Sequence, residues 1–154
     1  MSLVKPVLQA LVLAERIWED KDGRKIIGGT FNVLWFTDWP LVKDVETPSG
    51  ETQRFVQGGM NPGAPYAYIS LTDVCDNTEI ELQFVSLTKN VVIFSSSIVV
   101  HCNSRLATIE IVAPLPPLPI HHEGVYAFEI VCEGEVIGSH RIIAKKHPDQ
   151  KDRD

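Results

Sequence analysis

Residues 126–144 read YAFEIVCEGEVIGSHRIIA, and the period of this stretch decides the fold. Tyr126, Phe128 and Ile130 fall on one side of an extended chain, with Glu129 on the other. That is a repeat of two, as in a strand, where a helix would place apolar residues three and four apart. Glu133-Gly134 then interrupts the pattern, and a second β-rich run follows from 135 to 144. A tight hairpin turn needs positive φ, which glycine adopts at no steric cost, so the stretch reads as two antiparallel strands.

The same period spreads outward from this hairpin. Ile80, Leu82 and Phe84 alternate with Glu79, Glu81 and Gln83, which describes a half-buried strand with one wet face. Ala107, Ile109 and Ile111 alternate with Thr108 and Glu110 in the same way. Asp22-Gly23 separates residues 8–20 from 25–36 and predicts a second hairpin; Ile27, Phe31, Val33 and Trp35 are expected on one face of its return strand. Asp76-Asn77 marks a further tight connection. The runs Val91-Val92-Ile93-Phe94 and Ile98-Val99-Val100 are β-branched and aromatic, and are expected to be more deeply buried than the alternating strands. Residues 8–18 also fit a helix at Leu8, Leu11 and Val12, but Glu15 breaks that stripe and the Asp-Gly turn supplies a strand partner. Seven to nine short strands with Gly/Pro turns predict an all-β chain folded as an antiparallel β-sandwich.

The totals agree with one such domain. The chain has 154 residues, 44% apolar and 22% charged, enough to build a core over residues 1–145. Residues 146–154 are almost wholly polar and are expected to fray. A net charge of −6 offers no basic field for phosphates, which excludes nonspecific nucleic-acid binding. The longest N-terminal apolar run, residues 7–14, is interrupted by Gln9 and flows into Glu15-Arg16, so it reads as a strand rather than a signal peptide. No run approaches the ~18 apolar residues of a membrane helix. Cys75, Cys102 and Cys132 are three in number and far apart, with no CxxC spacing; they read as small hydrophobes in a reducing, cytoplasmic setting.

The segment 113–126, APLPPLPIHHEGVY, lies between two of these strands. Its four prolines lack backbone donors, which suits a connection crossing from one sheet to the other better than a strand. Gly124-Val125-Tyr126 is similar to the start of strand F in immunoglobulin-like folds, where a Gly-x-Tyr forms a tyrosine corner with its hydroxyl bonded back to upstream backbone. Phe128 stands where antibody domains carry their second cysteine, so the resemblance implies an immunoglobulin-like β-sandwich without an intersheet disulfide. The chain from about residue 5 to 145 also resembles a family of small uncharacterised bacterial proteins, a domain of unknown function. That resemblance rests on LAERIWEDKDGRKIIGGTFN, AYISLTDV and the final hairpin, and it implies a β-sandwich fold with no activity attached.

Chemistry-bearing motifs are sparse. His121 and His122 are adjacent and would point to opposite sides of an extended chain, and no His-x-His or His-x3-His pair exists, so no metal or other cofactor is expected. His101 and Cys102 are neighbours on a strand, facing apart, which leaves the thiol without its base. Ser70 lacks the glycines of a nucleophile elbow. Glu79 and Glu81 share the wet face, which lacks the desolvation that general acid/base work would need. Gly28-Gly29 predicts a bulge or a close approach, and Gly58-Gly59 has no following Lys-Ser/Thr. The strongest lead is aromatic. Trp35, Phe36 and Trp39 leave for a long Gly/Pro-rich region, residues 39–65, with a short strand near 53–56, and Tyr66 and Tyr68 stand at its return. With Met60 these residues are expected to form an apolar contact patch. The resulting expectation is a non-catalytic binding or scaffold module. It would present that loop or a sheet edge to a protein partner or to a second copy, and would bind neither nucleic acid nor membrane. The other class kept open is a small-ligand or metal-binding protein, or an enzyme, with its site under the 39–65 loop.

Overall fold

The computed structural model describes residues 5–36, 41–57, 65–116, 118–120 and 122–146. Its described elements are all strands: β1 (Val7–Glu19), β2 (Lys25–Thr30), β3 (Val33–Phe36), β4 (Leu41–Glu46), β5 (Thr52–Gln57), β6 (Tyr66–Thr72), β7 (Asp76–Ser86), β8 (Val91–Cys102), β9 (Ile109–Pro114), β10 (Gly124–Cys132) and β11 (Glu135–Lys146). Nine of them form two sheets, one in the order β2-β1-β6-β9 and the other in the order β3-β11-β10-β7-β8, while β4 and β5 pair only with each other. The long region 39–65 therefore carries a two-stranded ribbon where one short strand is expected from sequence. All pairings are antiparallel except β3 with β11.

Alternation packs the two sheets together. Leu13 of β1 and Ala67, Ile69 and Leu71 of β6 meet Ile80, Leu82, Phe84, Phe128, Ile130 and Ile142 of the other sheet in one core. Phe84 is its centre, with ring centroids 4.8 Å from Phe128, 5.5 Å from Tyr126 and 5.6 Å from Phe94. The proline-rich connection runs from β9 in one sheet to β10 in the other, and its Leu115, Leu118 and Ile120 plug the core as they pass. Ile120 N–H bonds to the Leu118 carbonyl at 2.9 Å, a tight turn around Pro119 that spends no strand donors. No helix among the described residues is long and apolar enough to cross a membrane.

The hairpin 126–144 folds as its period dictates, with Glu133 at φ 51° and Gly134 at φ 77° forming the turn. Gly23 at φ 80° closes the β1–β2 hairpin, and its return strand reveals a correction. Ile27 and Phe31 do not share a strand with Val33 and Trp35: Gly29 at φ 71° turns the chain, β2 ends at Thr30, and β3 restarts in the opposite sheet. Parity resets across that break, so Leu34 and Phe36 enter the core and Trp35 turns outward. β1 is a strand throughout, and a register shift between Leu8 and Ala10 explains its helix-like spacing. The extra residue turns a two-residue step into the three-residue step from Leu8 to Leu11. The connection near Asp76-Asn77 spans residues 73–75, with Asp73 at φ 59° and Asp76 at φ 49°.

β8 departs most from expectation. Of its apolar runs only Val100 is deeply buried, at 6% exposed, while Val91, Val92 and Val99 are 53%, 54% and 66% exposed. The cause is position, because β8 is the edge of the five-stranded sheet and has a neighbour only in β7.

Candidate functional site

The predicted aromatic patch is dispersed among the described residues. Phe36 is 2% exposed and belongs to the core. Trp35, 45% exposed, lies beside Lys145, whose ammonium sits 5.8 Å from the ring centroid. Tyr66 and Tyr68 alternate with the buried Ala67 and Ile69, which puts them on the outer face of the four-stranded sheet. The Tyr68 hydroxyl donates to the Glu110 carboxylate across the β6–β9 pair. Burial, and then that carboxylate, push the Tyr68 pKa upward. Trp35 and Tyr68 thus stand on different sheets, and Trp39 and Met60 lie outside the described residues.

The polar candidates have structural occupations. His101 Nδ1 is 2.8 Å from Asn77 Oδ1, while the Cys102 thiol donates to the Ser104 carbonyl at 3.0 Å, so the neighbours face apart. His140 Nε2 is 3.1 Å from the Phe31 carbonyl, and the His122 carbonyl accepts the Tyr126 hydroxyl at 2.9 Å. His121 lies outside the described residues. No three His, Cys, Asp or Glu side chains converge as a metal site among the described residues. A cleft of about 280 Å³ opens where β7 begins and the β10–β11 hairpin turns, lined by Cys75, Glu79, Glu81, Cys132 and Glu133 among others. Burial pushes the Cys132 thiol pKa up and Glu133 adds to the shift, the opposite of what a thiolate nucleophile needs.

The four edges of the two main sheets give a sharper contrast. An open edge presents unpaired N–H and C=O groups, and folded proteins blunt it with short strands, glycine bulges, proline or charge. β2 has six residues, carries Gly28-Gly29, and ties Lys25 to Glu19 at 3.3 Å. The Trp18 ring lies over Gly28, 3.1 Å from where a Cβ would stand. β3 has only four residues. β9 has six, with Glu110 second and Pro114 at its end. β8 has twelve residues, VVIFSSSIVVHC, with no Asp, Glu, Lys, Arg, Pro or Gly and a single bulge at Ile93, away from its central serines. Its outer edge pairs with no other strand among the described residues. Sequence reasoning missed this site because a continuous β-branched run looks like a core strand. The triple serine at its centre was the available signal, since residues 95–97 are all exposed.

No protein-family model matches the chain, and no curated protein matches its sequence.

Proposed function

We propose that the chain is a non-catalytic binding module, an immunoglobulin-like sandwich whose β8 edge receives an extended segment of a protein partner. The single observation that carries this reading is the edge itself: twelve residues without a carboxylate, lysine or arginine, long enough for about 40 Å of strand, on a fold whose other three edges are blunted. Added-strand recognition draws affinity from backbone bonds and specificity from alternate side chains. β8 offers both, with Val99, Ser97 and Ser95 opposite Glu79, Glu81 and Gln83 on the outer side of the sheet.

The immunoglobulin-like assignment is supported by chain order. β1, β6 and β9 follow one another across one sheet, and β11, β10, β7 and β8 across the other, as strands A, B, E and G, F, C, C′ do in that fold. The Tyr126 corner at the start of β10 stands where strand F carries it. Nothing corresponds to strand D among the described residues, and the β1–β2 hairpin is an addition.

The test uses the full chain as bait beside a variant carrying Ser95→Lys and Ser97→Lys. Position 97 lies opposite Glu81, so the introduced ammonium meets a carboxylate across the strand pair and the variant keeps its fold. Wild type is expected to retain partners that the variant loses, with the backbone amides of residues 95–99 becoming protected from hydrogen exchange in the complex. Identical partner sets from the two baits, with a differently tagged second copy of the chain counted among the candidates, would sink the edge reading.

A further inference from the structure

Resting on that edge reading, we infer that the segment seated on β8 is β8 of a second copy of this chain, paired antiparallel about a twofold axis through Ser96. The strand is self-complementary in residue class. Stepping outward from Ser96, Ser95 answers Ser97, Phe94 answers Ile98, Ile93 answers Val99, and Val92 answers Val100. A twofold pairing of identical strands places these residues directly opposite one another: Ser95 against Ser97 of the second copy, and Phe94 against its Ile98. Directly opposed residues share a face, so the match must hold in side-chain direction too.

It does through the centre of the strand. Phe94, Ser96 and Ile98 oppose Phe84, Leu82 and Ile80 of β7 and share the inner face, while Ser95 and Ser97 oppose Gln83 and Glu81 on the outer face. Phe94 and Ile98 are both half-buried at this open edge and pack on the core from one side only. The pairing sets each against the other's counterpart, extending the two five-stranded sheets into one sheet of ten strands. The shift between Phe84 and Val85 adds a residue to β8 at Ile93 and limits strict ladder pairing to the central residues.

Charge favours a copy over a charged peptide. The chain carries −6 overall, yet no Asp, Glu, Lys or Arg lies on β8, so two copies approach along a strand that adds nothing to their mutual repulsion. A partner selected by charge would need complementary carboxylates, lysines or arginines on this strand, and it has none.

The experiment reads mass in solution by light scattering across a concentration series of the full chain. Wild type is expected at twice the single-chain mass. Ser95→Lys with Ser97→Lys places lysine against lysine on both sides of the axis, and Ser95→Glu with Ser97→Glu places glutamate against glutamate. Each variant alone is expected to dimerise at least about tenfold more weakly, the low end of like-charge opposition at two pairs. An equimolar mixture of the two is expected to recover the dimer, because residues 95 and 97 then meet with opposite sign. Circular dichroism checks that both variants fold. A monomeric wild type, or a dimer untouched by either variant, overturns the pairing. The bait comparison separates this failure from that of the edge itself: a monomeric chain that still loses partners on Ser95→Lys with Ser97→Lys takes up a different protein on β8.

Discussion

Removing one oxygen from Tyr126 tests the corner that fixes the crossing between the sheets. Tyr126 is 4% exposed, its ring is stacked on Phe84 at 5.5 Å, and its hydroxyl donates to the His122 carbonyl at 2.9 Å. Phenylalanine keeps the ring, so Tyr126→Phe leaves the aromatic packing in place and isolates the hydrogen bond. A typical intramolecular hydrogen bond contributes about 0.5–1.5 kcal/mol net. His122 is exposed, so water can reach the carbonyl left behind, and the expected loss is about 1 kcal/mol rather than the larger cost of a buried orphan. For a chain of this length that lowers Tm by about 2–4 °C. Urea unfolding followed by tryptophan fluorescence should show a lower midpoint with an unchanged slope. Tyr68→Phe is the control, since its hydroxyl meets Glu110 at the exposed outer face, and its loss should stay below about 0.5 kcal/mol. A Tyr126→Phe loss no greater than that of Tyr68→Phe would refute the corner's role. A changed slope would place the effect in the unfolded chain instead.

Three other perturbations follow from the core and its turns. Gly124→Ala should cost about 1–2 kcal/mol, because φ is +157° and the new Cβ would stand 2.7 Å from Thr88 Oγ1, which accepts a bond from Val125 N–H at 2.9 Å. In a Thr88→Ala background the same substitution should cost less, and full additivity in denaturant titrations would contradict the crowding. Phe84→Ala removes the centre of the aromatic cluster and should cost about 3–5 kcal/mol, read as a large fall in the urea midpoint; a loss under about 1 kcal/mol would mean that the cluster does not hold the sheets. Burial raises Tyr126 and Tyr68 above 10.0 and Cys132 above 9.0 in the folded chain, so the unfolded chain ionises first. Their contribution is complete below about pH 9 and is lost as pH rises through these values, so stability measured from pH 8 to 11 should fall, less steeply in Tyr126→Phe.

The parts of the fold written in local chemistry were legible. Two-residue periods in β7 and β10, and glycines at positive φ in the two hairpin turns, need only neighbours in sequence, and they folded as expected. What required tertiary information was parity and position. Gly29 redirects the chain after β2 and so decides which way Trp35 faces, which no count along residues 25–36 can reveal. Of the candidate patch, Trp35 is exposed and Phe36 is withdrawn into the core, because parity resets after β2.

β8 shows the same limit in a more informative way. A run such as Val91-Val92-Ile93-Phe94 predicts burial from both sides, and the fold supplies one side only. Leaving three valines about half exposed or more on an uncharged edge forgoes burial worth on the order of 1 kcal/mol or more each, and it exposes a strand that could aggregate. The other edges show that this fold has means to blunt a strand, with Pro114 on β9, Gly28-Gly29 on β2 and only four residues in β3. The mismatch between what the β8 sequence is suited to and what one chain provides is what the proposed second strand would resolve. On that proposal, the observed exposure describes these residues before a strand pairs with β8, and the burial expected from sequence describes them after.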